Sequence, residues 1–300
     1  MRKFLISGVA VLALAACAQG EKAETEAVAA APAEVVEVVQ TVSLDNILAA
    51  QNEAAQARYQ YRNPKETLEF FGIKPGMTVV EALPGGGWYT KILLPLLGDE
   101  GALIGADYAL DLWPNFGGFA NAEFLEKKKT WPQTWTEGAL EWRGGTNASV
   151  SAFAFGDRDT SQDGTADAAL FIRAMHNLNR FSDVDDYMGE ALADTHALLK
   201  TGGILGVVQH RAPEGNDDAW AKGGAGYLKQ SALIATIEAA GFELVETSEI
   251  NANPEDQPTN EDIVWRLPPS LGTSQENPEL RAEMKAIGES DRMTLKFRKI

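Results

Sequence analysis

The spacing of apolar positions changes several times along the chain, and each change marks an element. Leu44, Ile47 and Leu48 recur at helical intervals after Asp45 and Asn46, predicting a helix that runs towards Arg58. Asn63-Pro64-Lys65-Glu66 predicts a second helix, with Asn63 as cap and Pro64 at the first helical position. Leu68 and Phe71 form its apolar stripe, and Gly72 ends it. Residues 78–83 are a short, mostly apolar run suited to a strand buried on both faces. They lead into Pro84-Gly85-Gly86-Gly87 and a helical pattern over 88–97. Further strands are predicted at 102–106, 150–155, 168–172, 204–208, 242–247 and 293–297, with helices at 184–199 and 231–240. Lys200-Thr201-Gly202-Gly203 reads as the turn before the fifth strand. Trp113, Trp131, Trp135 and Trp142 sit in the long connection before the third strand, as anchors to the core or as a pocket lining. Residues 251–289, with Pro254, Pro258, Pro268, Pro269 and Pro278, read as an irregular insert between the last two strands.

Strands alternating with helices predict an α/β fold of Rossmann-like type: an open, mostly parallel, seven-stranded sheet with helices on both faces. Residues 43–300 are about the upper size for one domain. With 45% apolar residues the chain can fill a core of that size, and its single cysteine excludes a disulfide framework. The formal charge of −17, with no basic stripe, argues against nucleic-acid partners.

The first residues read as an address. Arg2 and Lys3 precede an apolar stretch over 4–16, too short to span a bilayer but fitting a signal-peptide core. Leu14-Ala15-Ala16-Cys17 resembles the lipobox of bacterial lipoproteins. That resemblance implies removal of residues 1–16 and a lipid on Cys17 as the only membrane contact. It also implies a location on the periplasmic side of a bacterial membrane. Residues 17–42, rich in Ala, Glu and Val, then read as a solvated tether.

In an open parallel sheet a ligand lies outside the carboxyl ends of the strands, beside the first one. Glycines there let the backbone approach a ligand closely, and the following helix offers free N–H groups. Asp107 ends the second strand twenty residues past Gly87, where a carboxylate can accept both hydroxyls of a ribose. Glu81-x-x-x-Gly85-Gly86-Gly87, Asp107, the run from Asp167 to Arg173 and Leu199-Lys-Thr-Gly-Gly-Ile-Leu-Gly206 follow in order, with the pairs Trp88-Tyr89 and His210-Arg211. Together they resemble the class I S-adenosylmethionine (SAM)-dependent methyltransferases, within them a little-characterised bacterial family of exported members. The resemblance implies SAM as cofactor, held by Glu81, Gly85, Gly86, Gly87 and Asp107. Asp157, or equally Asp159, would stand near the adenine amine. Leu83 occupies the place of that family's first loop glycine, and Pro84 removes a backbone donor.

The Gly-x-Gly-x-x-Gly signature of dinucleotide oxidoreductases is absent. His176 and His210 follow the fourth and fifth strands and are candidate proton acceptors from a small substrate, with Arg173 and Arg211 as candidate clamps for an anionic group. The same four residues could instead tie loops together. The expected activity is methyl transfer to a small molecule, with no metal. The alternative is a lipoprotein that uses the fold only to bind a ligand or partner.

Overall fold

The computed structural model describes residues 43–300, so the expected leader, the lipobox Cys17 and the tether lie outside the described residues. Its strands are β1 (Thr78–Ala82), β2 (Ala102–Asp107), β3 (Ser149–Ala154), β4 (Ala166–Ile172), β5 (Leu199–Ala212), the two-residue β6 (Leu228–Lys229), β7 (Phe242–Ser248) and β8 (Arg292–Lys299). Seven of them pair in the order β3-β2-β1-β4-β5-β8-β7, and β6 pairs with β5. The run from β3 to β5 is parallel, while β8 is antiparallel to both β5 and β7. The mostly parallel, doubly covered sheet expected from the alternation of patterns is therefore the one the chain forms. Strand order reverses direction between β1 and β4, which makes the carboxyl edge there the topological switch point.

Both faces of the sheet are buried, and successive residues supply opposite faces. Val79, Leu103 and Leu170 pack with Leu68, Ile92 and Trp135 on one side. Val80, Ile104 and Phe171 pack with Leu178, Leu192 and Leu233 on the other. On the first side lie α1 (Leu44–Ala49), α2 (Pro64–Phe71) and α3 (Thr90–Leu97). The β2–β3 connection contains α4 (Ala122–Lys129) and α5 (Trp131–Ala139). The second side is covered by α6 (Met175–Arg180), α7 (Tyr187–Leu198) and α8 (Gln230–Ala239), and α9 (Pro278–Ile287) lies within the insert. Among the described residues no helix is long and apolar enough to cross a membrane.

Four local expectations fail, each for a physical reason. The helix expected towards Arg58 breaks into α1 and two single turns, Glu53–Gln56 and Tyr59–Arg62, because the Asn52 side chain accepts the Ala55 N–H and starts a new turn. Asn63 does not cap α2: it sits in the left-handed region at φ 38°, and its amide donates to the Ile250 carbonyl at 2.6 Å. The Gly202-Gly203 turn is absorbed into β5, which starts at Leu199 opposite Ala166 and shifts register before Ile204 pairs with Ala168. The insert is not irregular throughout, since Asn277 accepts the Leu280 N–H and caps α9.

Candidate active site

The loop after β1 begins with strain. Leu83 adopts φ 55° while its N–H donates to Ala106 O at 2.7 Å, so the backbone turns sharply off the sheet at a residue with a side chain. Gly85 and Gly86 are exposed, and among the described residues no backbone acceptor meets their N–H groups. A Cβ on Gly86 would meet nothing within 4 Å, whereas one on Gly87 would stand 2.3 Å from the Trp142 ring. The first two glycines thus leave backbone open for a ligand, and the third makes room for a tryptophan. Glu81 is buried beneath this loop and accepts the Thr90 hydroxyl at 2.7 Å, tying β1 to the start of α3. Burial pushes its carboxyl up to about 7, against the opposing pull of Thr90.

Asp107 ends β2 beside this loop but is already engaged. Lys128 of α4 donates to its Oδ2 at 2.8 Å, with the ammonium 3.8 Å from the centre of the Trp113 ring. Burial raises the Asp107 carboxyl, and Lys128 offsets part of that rise. Asp157 lies in an exposed turn after β3, and Asp159 accepts the Ser161 N–H at 2.9 Å. Trp135 packs on Gly105 of β2 and stacks on Trp131, so these two tryptophans anchor the β2–β3 connection.

Across the switch point, Arg173 follows β4 and holds φ 60° while its N–H donates to Val208 O at 2.6 Å. Leu83 and Arg173, two of the four non-glycine residues with positive φ among the described residues, therefore follow the two strands that flank the switch point. His176 and His210 are both buried, with ring centres 5.6 Å apart. His210 Nδ1 lies 2.5 Å from Ser290 Oγ, and Gln209 reaches His176 Nδ1 at 3.5 Å. Burial holds both imidazoles neutral: His176 falls to about 4, and His210 drops well below its usual value, helped by His176 and Arg173. Arg211 does not accompany His210 as expected, because neighbours on a strand face opposite sides. Its guanidinium forks onto Asp291 at 2.8 and 3.0 Å and onto Glu249 at 2.8 and 2.7 Å. It therefore takes no part in depressing the His210 imidazole.

No protein-family model matches the chain. No curated protein matches it in sequence. Among solved structures it is similar to a SAM-dependent methyltransferase from Aquifex aeolicus, at 13% identity over 86% of this chain and 99% of that one, with a TM-score of 0.47. It is likewise similar to a geranyl diphosphate methyltransferase solved with SAM, at 12% identity over 86% and 90% of the two chains, TM-score 0.49. A third is a Burkholderia thailandensis 1,6-didemethyltoxoflavin N1-methyltransferase with bound S-adenosylhomocysteine, at 14% identity over 85% and 86%, TM-score 0.44.

The insert supplies what the sequence did not suggest. Trp265 packs against His176 with ring centres 6.0 Å apart, and Ser290 follows the insert directly. Val264, Trp265, Leu267 and Pro268 line a cavity of about 100 Å³ together with Arg173 and His210. A wider hollow of about 440 Å³ opens between α1, α3 and Trp142, but no histidine or arginine lines it. Among the described residues no cluster of His, Cys, Asp and Glu could hold a metal.

Proposed function

We propose that this domain binds SAM beside β1 and transfers its methyl group to a small acceptor held under the insert. One observation carries the reading: an open glycine backbone and a strand-ending carboxylate lie on one side of the switch point, and two neutral imidazoles lie on the other. Gly85 and Gly86 have the free N–H groups and empty space that a ligand backbone contact needs. Asp107 has the chemistry for a ribose diol once Lys128 shares or yields it. Glu81 would act through Thr90, holding the loop in shape without touching the ligand. Bound SAM supplies an electrophilic methyl group, and the protein's part is chiefly to align an acceptor and exclude water. His210, fixed through Nδ1 by Ser290, would accept a hydrogen bond or proton from that acceptor at Nε2.

Calorimetry with SAM and its demethylated product tests the cofactor half. Binding is expected in the wild type and its loss in Gly86→Val, which adds a side chain in empty space. A folded wild type that takes up neither ligand at millimolar concentration sinks the reading in favour of a non-catalytic binding protein.

We also propose that the domain is exported and held at the periplasmic side of a membrane through lipid on Cys17, on the strength of the Leu14-to-Cys17 pattern. Radiolabelled fatty acid should enter the wild type but not Cys17→Ser; labelling of the variant would end that reading.

A further inference from the structure

The chain is acidic overall, yet four arginines gather around a single buried carboxylate. Arg58, Arg62 and Arg292 all turn onto Glu289: Arg58 at 2.6 Å and Arg62 at 3.2 Å as donors, and Arg292 as an ion pair at 3.3 Å. One carboxylate thus faces three guanidinium groups. Arg173 is the fourth cation of the cluster, near enough to feel Arg292, Glu289 and Arg58. Among the described residues nothing accepts a hydrogen bond from its side chain, and its Nε is buried without a partner. Burial and Arg292 pull its guanidinium down to about 10, which leaves it charged at neutral pH.

A buried N–H without a partner is costly, and so is a left-handed backbone at a residue other than glycine. Arg173 carries both at once, with its N–H locked on Val208 so that the side chain cannot swing away with its backbone. The same side chain lines the 100 Å³ cavity. Glu289 also lines it, but its two oxygens are taken by the other three arginines. The field at the cavity is therefore positive.

The mixed lining fixes the kind of anion. Trp265, Leu267, Pro268 and Pro269 bring carbon-rich side chains to the lining, and Arg173, His210, Ser270 and Ser290 bring polar groups. Inorganic phosphate would use only the polar part of it. A short carboxylic acid uses both parts, because a planar guanidinium matches a carboxylate through paired hydrogen bonds and its carbon body can meet the apolar side chains. The volume equals roughly three water molecules' share of liquid, which suits a body of a few carbon atoms.

We propose that this cavity binds a small carboxylate, its oxygens on the Arg173 guanidinium and its carbon body against Trp265 and Leu267. As the identity of the methyl acceptor, this assignment rests on the methyltransferase reading; as an anion site it stands without it. The probes are acetate, propionate, butyrate and inorganic phosphate, titrated calorimetrically into the full-length protein without SAM. Propionate or butyrate should bind in the millimolar range, with affinity at least tenfold weaker in Arg173→Gln and unchanged in Arg211→Gln. In the unsubstituted protein the Arg173 Nε–Hε resonance should move as propionate is added, a readout that does not depend on how the variant folds. Carboxylates that bind Arg173→Gln as tightly as wild type, or leave that resonance in place, overturn the site. Tighter binding of phosphate than of propionate overturns the carboxylate assignment. Carboxylate binding in a protein that takes up no SAM supports this site while removing the methyltransferase reading. SAM binding without carboxylate binding does the reverse.

Discussion

Single side chains decide whether the carboxyl edge can accept a ligand, and Lys128 is the clearest case. Its ammonium neutralises Asp107 while lying on the Trp113 ring, so a ribose must compete with it. Replacing it by Met keeps the length and removes the charge. Freed of a partly buried pair of about 1 kcal/mol, Lys128→Met should bind S-adenosylhomocysteine about fivefold more tightly by calorimetry. Affinity that falls instead would mean that Lys128 helps to build the site. Glu81 and His176 oppose each other as pH changes. The Glu81 carboxyl is raised from 4.5 to about 7, so its contribution is complete below pH 4.5 and is lost as pH rises through 7. His176 is lowered from 6.5 to about 4, so its contribution is complete above pH 6.5 and is lost as pH falls through 4. Between pH 4.5 and 6.5 the two slopes therefore cancel in part. Urea unfolding over that window should show Glu81→Gln gaining stability with rising pH more steeply than wild type, and His176→Gln less steeply. Parallel curves for all three proteins would mean that neither group titrates as its burial implies.

Elements were legible where burial imposed a pattern and illegible where partners came from far away. The strands beside the switch point are buried on both faces, so short apolar runs located them to within a few residues. Helix α9 carries the same Asn-Pro start as α2, yet none of its side chains is fully buried, and apolar spacing alone did not reveal it. His210, expected just after the fifth strand, lies within β5 instead, because the strand goes on pairing with β8 past Val208. That Arg211 faces away was implicit in strand alternation. The Glu289 cluster could not be read, because Arg58 and Glu289 lie 231 positions apart and no local rule joins them. The glycine loop shows how one motif divides its tasks. Gly87→Ala would force a Cβ into the Trp142 ring at a φ of +74°, which should cost about 3 kcal/mol in urea unfolding. Gly86→Ala meets open space and should change stability by less than about 0.5 kcal/mol. Equal costs would mean that the loop is packed as one unit and offers no open backbone.

Over the whole molecule, residues distant in sequence meet at the same edge. Arg58 and Arg62 precede the first strand, Glu289 and Arg292 border the last, and all four join at the cluster beside Arg173. The last strand also occupies an interior place in the sheet, since β8 pairs with β5 on one side and β7 on the other. Met293, Leu295 and Phe297 are wholly enclosed there. A chain stopped at Asp291 should therefore fail to reach a protease-resistant state, with β5 and β7 each short of a neighbour. A stopped chain that resists digestion as wild type does would show that the sheet can close without β8. The position of β8 also sets a timetable for synthesis. Helices and parallel strands can begin to gather while the ribosome is still translating. The sheet keeps an open gap until residue 299 has emerged, and a holdase chaperone can engage the nascent chain for as long as that gap lasts.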